Sequence, residues 1–229
     1  MPVRKLLVGA VAALAVVASL AFASPAGASS EPPPTLKQIL DSQGGAFDRN
    51  WYDFDILDAV VDEVLAANPS SPLALAADPN SPKLTVFLPN DRAFQALAAD
   101  LLGFRYWFAS ESSVAKALVG AIPVSTLETV VQYHVIPGAE IDSRTALSVP
   151  RGTPLTTLQG GDIRVTPVKF FGSAILSDND PDDIDPFLVP SKLDIRASNG
   201  IAHGIAFVLR PVNLSTVRGH GGGGHDGVR

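Results

Sequence analysis

Apolar residues recur at helical spacing after Asp53: Ile56, Leu57, Val60, Val61, Val64 and Leu65 share one side, and Asp55, Asp58, Asp62 and Glu63 fall on the others. The pattern predicts an amphipathic helix, capped by Asp53 or Asp55 and stopped at Asn68, where the ring of Pro69 disfavours helical geometry. Leu84 to Leu88 is a short apolar run closed by Pro89 and reads as a buried strand. Asn90 then caps a helix with Asp91 in its first turn, where the helix dipole favours an acid, and Phe94 and Leu97 turn back towards the strand. Phe104 to Ala121, aromatic and then alanine-rich, predicts further helix. Ser125-Thr126-Leu127-Glu128 has the form of a capping box opening a helix that carries Leu127, Val130 and Val131 and runs into Tyr133 and His134. Val135-Ile136 begins a strand, and Pro137-Gly138 makes a turn.

The second half changes period. Short β-favouring runs occur at Leu155 to Leu158, Ile163 to Phe171, Ala174 to Leu176, Leu193 to Ala197 and Ile201 to Leu209. Gln159-Gly160-Gly161-Asp162 and Ser198-Asn199-Gly200 separate them as turns, the second placing Asn-Gly where a tight hairpin needs positive φ. Periodicity alone therefore gives an α+β fold, with helices mainly in the N-terminal half and a hairpin-rich, mostly antiparallel sheet after them.

The two ends differ from the middle. Arg4 and Lys5, the uncharged stretch Leu6 to Leu20 and the small residues that follow have the three-part layout of a secretory signal, residues 1–28, with cleavage after Ala26-Gly27-Ala28 and a second candidate site at Ala21-Phe22-Ala23. The alternative, an uncleaved anchor, asks for about 20 apolar residues, more than this run supplies. Residues 29–35 form a proline-rich leader, and residues 213–229 a glycine-rich tail holding His220 and His225, expected to be disordered. Removing the signal moves the formal charge from −6 to −8, because Arg4 and Lys5 leave with it. An acidic chain without clustered Lys and Arg makes nucleic acid an unexpected partner. With no cysteine, a disulfide framework, thiolate catalysis and cysteine-held zinc are excluded together. The expected location is secreted and extracellular, with no membrane span in the mature protein.

Candidate chemistry is sparse. Phe104, Tyr106 and Trp107, with Phe108, crowd a large aromatic area into one turn; core packing explains such a cluster, and one wall of a ligand groove is the other reading. His134 and His203 lie on apolar backgrounds and read as hydrogen-bonded structural histidines. A hydrolytic set of Ser198, Asp194 and His203 would have to assemble on one hairpin, and no G-x-S-x-G elbow is present, so no catalytic residue is assigned. Asp178, Asp180, Asp182, Asp183 and Asp185 form an acidic loop that reads first as solvated and second as a calcium site, since it lacks the glycine and closing glutamate of an EF-hand. No metal set is assigned. Asn213-Leu214-Ser215 is an N-glycosylation sequon only where the chain is secreted through a eukaryotic pathway.

Three segments, in order, resemble the boxes of the fasciclin domain family. Thr85-Val86-Phe87-Leu88-Pro89-Asn90-Asp91-Arg92-Ala93-Phe94 is similar to its "TVFAPTDxAF" box, Tyr133-His134-Val135-Ile136-Pro137-Gly138 to its Tyr-His segment, and Asp194-Ile195-Arg196-Ala197-Ser198-Asn199-Gly200-Ile201-Ala202-His203 to its closing "ASNGxxH" box. Asn90, Asp91, Phe94, Asn199, Gly200 and His203 are thus expected to be structural motif residues. The resemblance covers residues 36–212 and implies a compact β-wedge of short strands with helices packed on it. It departs in Leu88 and Asn90, in a long Ala98 to Val124 link and in an insertion from Ser177 to Val189. It implies a non-catalytic adhesion or interaction domain for a cell-surface or matrix protein or glycan, with Asp194, Ile195, Tyr133 and His134 at positions through which animal members contact integrins. The alternative expectation is a small-ligand carrier, or a secreted hydrolase, using a pocket near residues 104–108.

Overall fold

The computed structural model describes residues 32–214. The chain divides into two units, Met1–Pro32 and Pro33–Arg229, and the fold described is that of the second. The expected signal segment, residues 29–31 of the leader and residues 215–229 with His220 and His225 lie outside the described residues.

Helices dominate the first half. α1 (Leu36–Gln43) opens with a capping box in which Thr35 accepts from the Gln38 amide and Gln38 answers to the Thr35 amide, so the last leader residue starts the domain. α2 (Asp55–Ala67) follows the periodicity at Ile56, Leu57, Val60, Val61 and Val64, but two acids expected on its outer faces are buried, Asp55 and Asp58. Its cap also differs: Phe54 occupies the N-cap, and the donor at Ile56 is satisfied by Asp91 Oδ1, 2.9 Å away, from the start of another helix. A 3₁₀ turn at Pro72–Ala76 leads to β1 (Leu84–Pro89) and α3 (Asp91–Leu102), whose N-cap is Asn90 accepting from Ala93 as expected. The aromatic stretch is not continuous helix. Gly103, at φ +113°, ends α3, Phe104–Phe108 forms a 3₁₀ turn, and Ser110 caps α4 (Glu111–Ala121). α5 (Val124–Tyr133) begins two residues before the start that a Ser125 cap would give, with Pro123 at the N-cap, and Glu128 instead accepts from Asn68 and Gln132, so no capping box forms there.

The second half is mostly sheet: β2 (Val135–Pro137), the short α6 (Ser143–Ala146), β3 (Thr153–Thr156), β4 (Asp162–Val168), β5 (Ser173–Ser177), β6 (Phe187–Leu188), β7 (Ile195–Ala197) and β8 (Gly200–Ala206). The order is β2-β1-β8-β6-β5-β4-β3, with β7 pairing β8 off this path. Among the described strands only β1 and β8 run parallel, in register from Leu84 opposite Gly200 to Pro89 opposite Ile205. Both are buried on nearly every residue, as a central strand covered on two faces must be, whereas β4 alternates inward Ile163 and Val165 with outward neighbours. β6 lies inside the stretch read as an insertion and is the rung joining β5 to β8.

The Asn-Gly turn works differently from expectation. Ala197 pairs with Gly200, so Ser198 and Asn199 form the loop, and neither they nor Gly200 has positive φ. Glycine is required at 200 by space: a Cβ there would lie 2.1 Å from the carbonyl oxygen of Leu84. Asn199 is the buried joint beside it, accepting from the Leu36 amide at 2.9 Å and donating to the carbonyl of Ala76 at 2.9 Å.

Two apolar cores result. One packs α1 to α5 against β1 and β8, and Leu214, past the expected domain end, belongs to it. The other lies under β3 to β6. Among the described residues no single helix is long and apolar enough to cross a membrane; α4 and α5 pass only as a pair bent by 112°, and their apolar faces are buried in the first core.

Candidate functional site

The 3₁₀ turn Phe104–Phe108 cannot bury five consecutive bulky side chains, because at three residues per turn they radiate in all directions. Tyr106 turns inward onto the helical core. Phe104 and Phe108 are left 71% and 79% exposed, edge to face at 5.6 Å, and Trp107 is 38% exposed. Arg92, from the first turn of α3, inserts its guanidinium between two indoles, 5.3 Å from the Trp51 ring and 5.5 Å from that of Trp107. Gln95 fixes the arrangement by donating to the Trp107 carbonyl at 3.1 Å and accepting from Arg92. Tyr52, next to Trp51, is 64% exposed. The outcome is an aromatic platform with a cation in its middle. Trp51, Tyr52 and Arg92 were not legible as members, although an aromatic pair in the polar loop before α2 is a signal of surface placement.

The platform is a surface, and among the described residues its side chains line none of the three apolar cavities found in the cores. An apolar cavity of about 240 Å³ lies in the other core, lined among others by Phe87, Ile141, Val149, Leu155, Val165 and His203.

Asp194 and His203 come together, but to organise backbone. Asp194 sits at φ +55° and its amide donates to His203 Nδ1 at 3.2 Å, while His203 Nε2 donates to the Ile141 carbonyl at 2.8 Å. Both carboxylate oxygens of Asp194 are taken by Ser143, from its amide at 2.8 Å and its hydroxyl at 2.5 Å. Partial burial pushes this carboxyl up, but the Ser143 hydrogen bonds win and hold it below the usual range. Burial lowers the His203 pKa. With both ring nitrogens committed to main-chain groups, His203 has no free nitrogen with which to activate Ser198, and the hydrolytic set is not assembled. Ile195 is half-buried in β7 opposite Ala202 and packs on the helical core.

Tyr133 and His134 are core residues with no side-chain surface for a partner. The Tyr133 hydroxyl donates to the Asp162 carbonyl at 2.6 Å. His134 donates from Nδ1 to the Val130 carbonyl at 2.7 Å and accepts at Nε2 from the Leu209 amide at 3.0 Å, which fixes the neutral tautomer. Full burial lowers its pKa to about 4.

The acidic loop closes on an internal cation. Arg210, buried, reaches Asp180 at 3.3 Å, Asp183 at 2.7 Å and Asp100 of α3 at 2.9 Å, and its amide donates to Asp178 Oδ2 at 2.7 Å. Asp185 accepts from the Ser177 hydroxyl, and Asp182 from Asn213. Among the described residues, the groups of acids spaced to hold a metal ion lie elsewhere.

Compared with known proteins, the chain finds no match among curated sequences. Among solved structures it is similar to a FAS1 domain pair from the insect cell adhesion molecule Fasciclin I, with a TM-score of 0.52 and 15% identity over 78% of this chain and 51% of that one. The likeness is one of fold, and the chain spans about half the length of that pair. The Fasciclin domain model matches residues 62–211, a span that holds all three boxes, the parallel β1–β8 pair and both buried histidines. The chain belongs to the fasciclin domain family.

Proposed function

We propose that this chain is an extracellular interaction domain that binds a partner protein, at a cell surface or in the surrounding matrix, without catalysis. The observation that carries the reading is the platform of Trp51, Tyr52, Arg92, Phe104, Trp107 and Phe108. Trp, Tyr and Arg dominate the binding energy of protein interfaces, and here Trp51, Arg92 and Trp107 are already ordered by stacking and by Gln95 before any partner arrives. The signal-like residues 1–28 support a location outside the cytoplasm. The FAS1 domain pair of similar fold comes from a cell adhesion molecule, which supports the same class of role.

The test compares wild type with a Trp107→Ala, Phe108→Ser double variant for binding to intact cells, immobilised matrix proteins and a polysaccharide array. Loss of protein or cell binding by tenfold or more, with an unchanged melting temperature, is expected. Retained binding in the variant, or binding confined to the polysaccharides, would overturn the reading. A second reading, small-ligand carriage, is favoured by the apolar cavity beside His203. Native mass spectrometry of freshly purified protein checks it, a co-purified apolar molecule being the expected sign.

A further inference from the structure

Four carboxylates meet where three helices begin. Asp55, Asp91 and Glu111 are the first residues of α2, α3 and α4, and Asp53 adjoins them from the loop leading into α2. Asp55, Asp91 and Glu111 are 4%, 0% and 2% exposed. One oxygen from each of these three lies within 4.8 Å of the other two.

Each carboxylate is held on one side and bare on the other. Asp91 Oδ1 accepts from the Ile56 amide at 2.9 Å, Glu111 Oε2 from the Arg49 amide at 2.9 Å, Asp53 Oδ2 from Asn50 Nδ2 at 2.8 Å, and Asp55 from the Ala46 amide. The opposite oxygens, Asp91 Oδ2, Glu111 Oε1, Asp53 Oδ1 and Asp55 Oδ2, are buried without a donor. Among the described residues six buried side-chain atoms lack a partner, and four are in this one place. No Lys or Arg there forms an ion pair with any of the four acids: Arg92 turns away to the indoles, and Arg49, at φ +80°, gives only its amide. Three helix N-termini offset part of the charge at roughly 0.3–1 kcal/mol each, whereas each buried carboxylate costs several kcal/mol to desolvate. A positive charge is the missing component, supplied either by a proton shared between Asp91 and Asp53 or by a metal ion that displaces it.

We propose that Asp53, Asp55, Asp91 and Glu111 form a binding site for one hard divalent cation, best suited to calcium. The donors are all oxygen, which selects hard ions over thiolate- or imidazole-seeking ones. Calcium bonds oxygen at about 2.3–2.6 Å, so two ligands on opposite sides of it lie at most about 5 Å apart, and the three buried acids satisfy that limit. Magnesium, held to a stricter octahedron and reluctant to shed water, fits less well. The site would also fasten a working surface. The carbonyls of Trp51 and Asp53 accept from the amides of Arg92 and Asp91 at 3.0 and 3.1 Å, so the loop that closes over the acids is the loop that presents Trp51 and Tyr52.

Full-length protein is treated with chelator and titrated separately with calcium chloride and magnesium chloride, followed by calorimetry and thermal unfolding. One calcium per chain is expected, with a rise in melting temperature of about 5–10 °C at a hundredfold excess over Kd and a smaller rise with magnesium. Terbium reports location: the chain has two tryptophans, and both, Trp51 and Trp107, stack on Arg92 beside Asp91, so terbium here gives tryptophan-sensitised emission that calcium displaces. Glu111→Gln should abolish the thermal shift and the emission. Asp53→Asn, at the partly exposed acid, is the second variant should Glu111→Gln not fold, and Asp182→Asn in the Arg210 loop should change neither readout. The inference is overturned by absence of shift and emission with these ions, by a shift that survives both site variants, or by one that Asp182→Asn removes.

Discussion

His134 shows how much one side chain holds in this fold. It ties the end of α5 to the chain after β8 by donating to Val130 and accepting from Leu209, and a second proton would break the Leu209 bond. Its folded pKa of about 4 lies below the ordinary value of 6.5, so as pH falls the unfolded chain takes up the proton first. The stability it contributes is complete above about pH 6.5 and is lost between there and about pH 4, amounting to about 3 kcal/mol. His203 shifts in the same direction. Asp178, raised to about 6 chiefly by burial, works the opposite way, so the histidine must be isolated by difference. Denaturant midpoints of wild type should fall relative to His134→Gln from pH 6.5 to 4; parallel curves would count against this account. That His134 sits in apolar surroundings is legible from its neighbours. Its acceptor bond is not, because Leu209 lies 75 residues away.

At the scale of elements, local signals survive where one segment decides and fail where two meet. The 3.6-residue period of α2, the Asn90 cap and the alternation of β4 need no distant partner, and the structure has all three. The start of α2 is settled instead by Asp91, and the glycine after Asn199 by a neighbouring strand; both contacts cross the fold. Gly200→Ala should therefore cost about 3 kcal/mol or more, because β1 must move to admit the methyl group. Gly120→Ala, inside α4 with nothing within 4 Å of the added carbon, should stabilise by about 0.5–1 kcal/mol. Chemical denaturation of the two variants against wild type checks the pair. If Gly200→Ala is as mild as Gly120→Ala, the close approach of β1 and β8 is not what fixes this glycine.

Across the whole molecule, Arg210 clips the acidic loop 178–185 to α3 after the last strand, joining three distant stretches through one guanidinium. The loop's composition announces charge but not its owner, since the cation lies beyond β8. Arg210→Met should cost about 3–5 kcal/mol by leaving Asp180 buried and unpaired, whereas Asp100→Asn, at a half-exposed partner, should cost under about 1 kcal/mol. Urea midpoints of the two variants test this ordering. The aromatic platform lay partly within reach of composition, through Phe104 to Phe108. Its other half, Trp51 and Arg92, is supplied by tertiary structure.

The parallel pairing of β1 with β8 also sets a timetable. Its partners are more than a hundred residues apart, and β8 gives Ala202 to one core and Ile205 to the other, so neither is complete until both strands have met. Closing so long a loop comes before most of the contacts that reward it. A chain emerging from its N-terminus would hold its helices in suspense until Gly200 to Ala206 arrives, and then commit both halves in one slow, cooperative step.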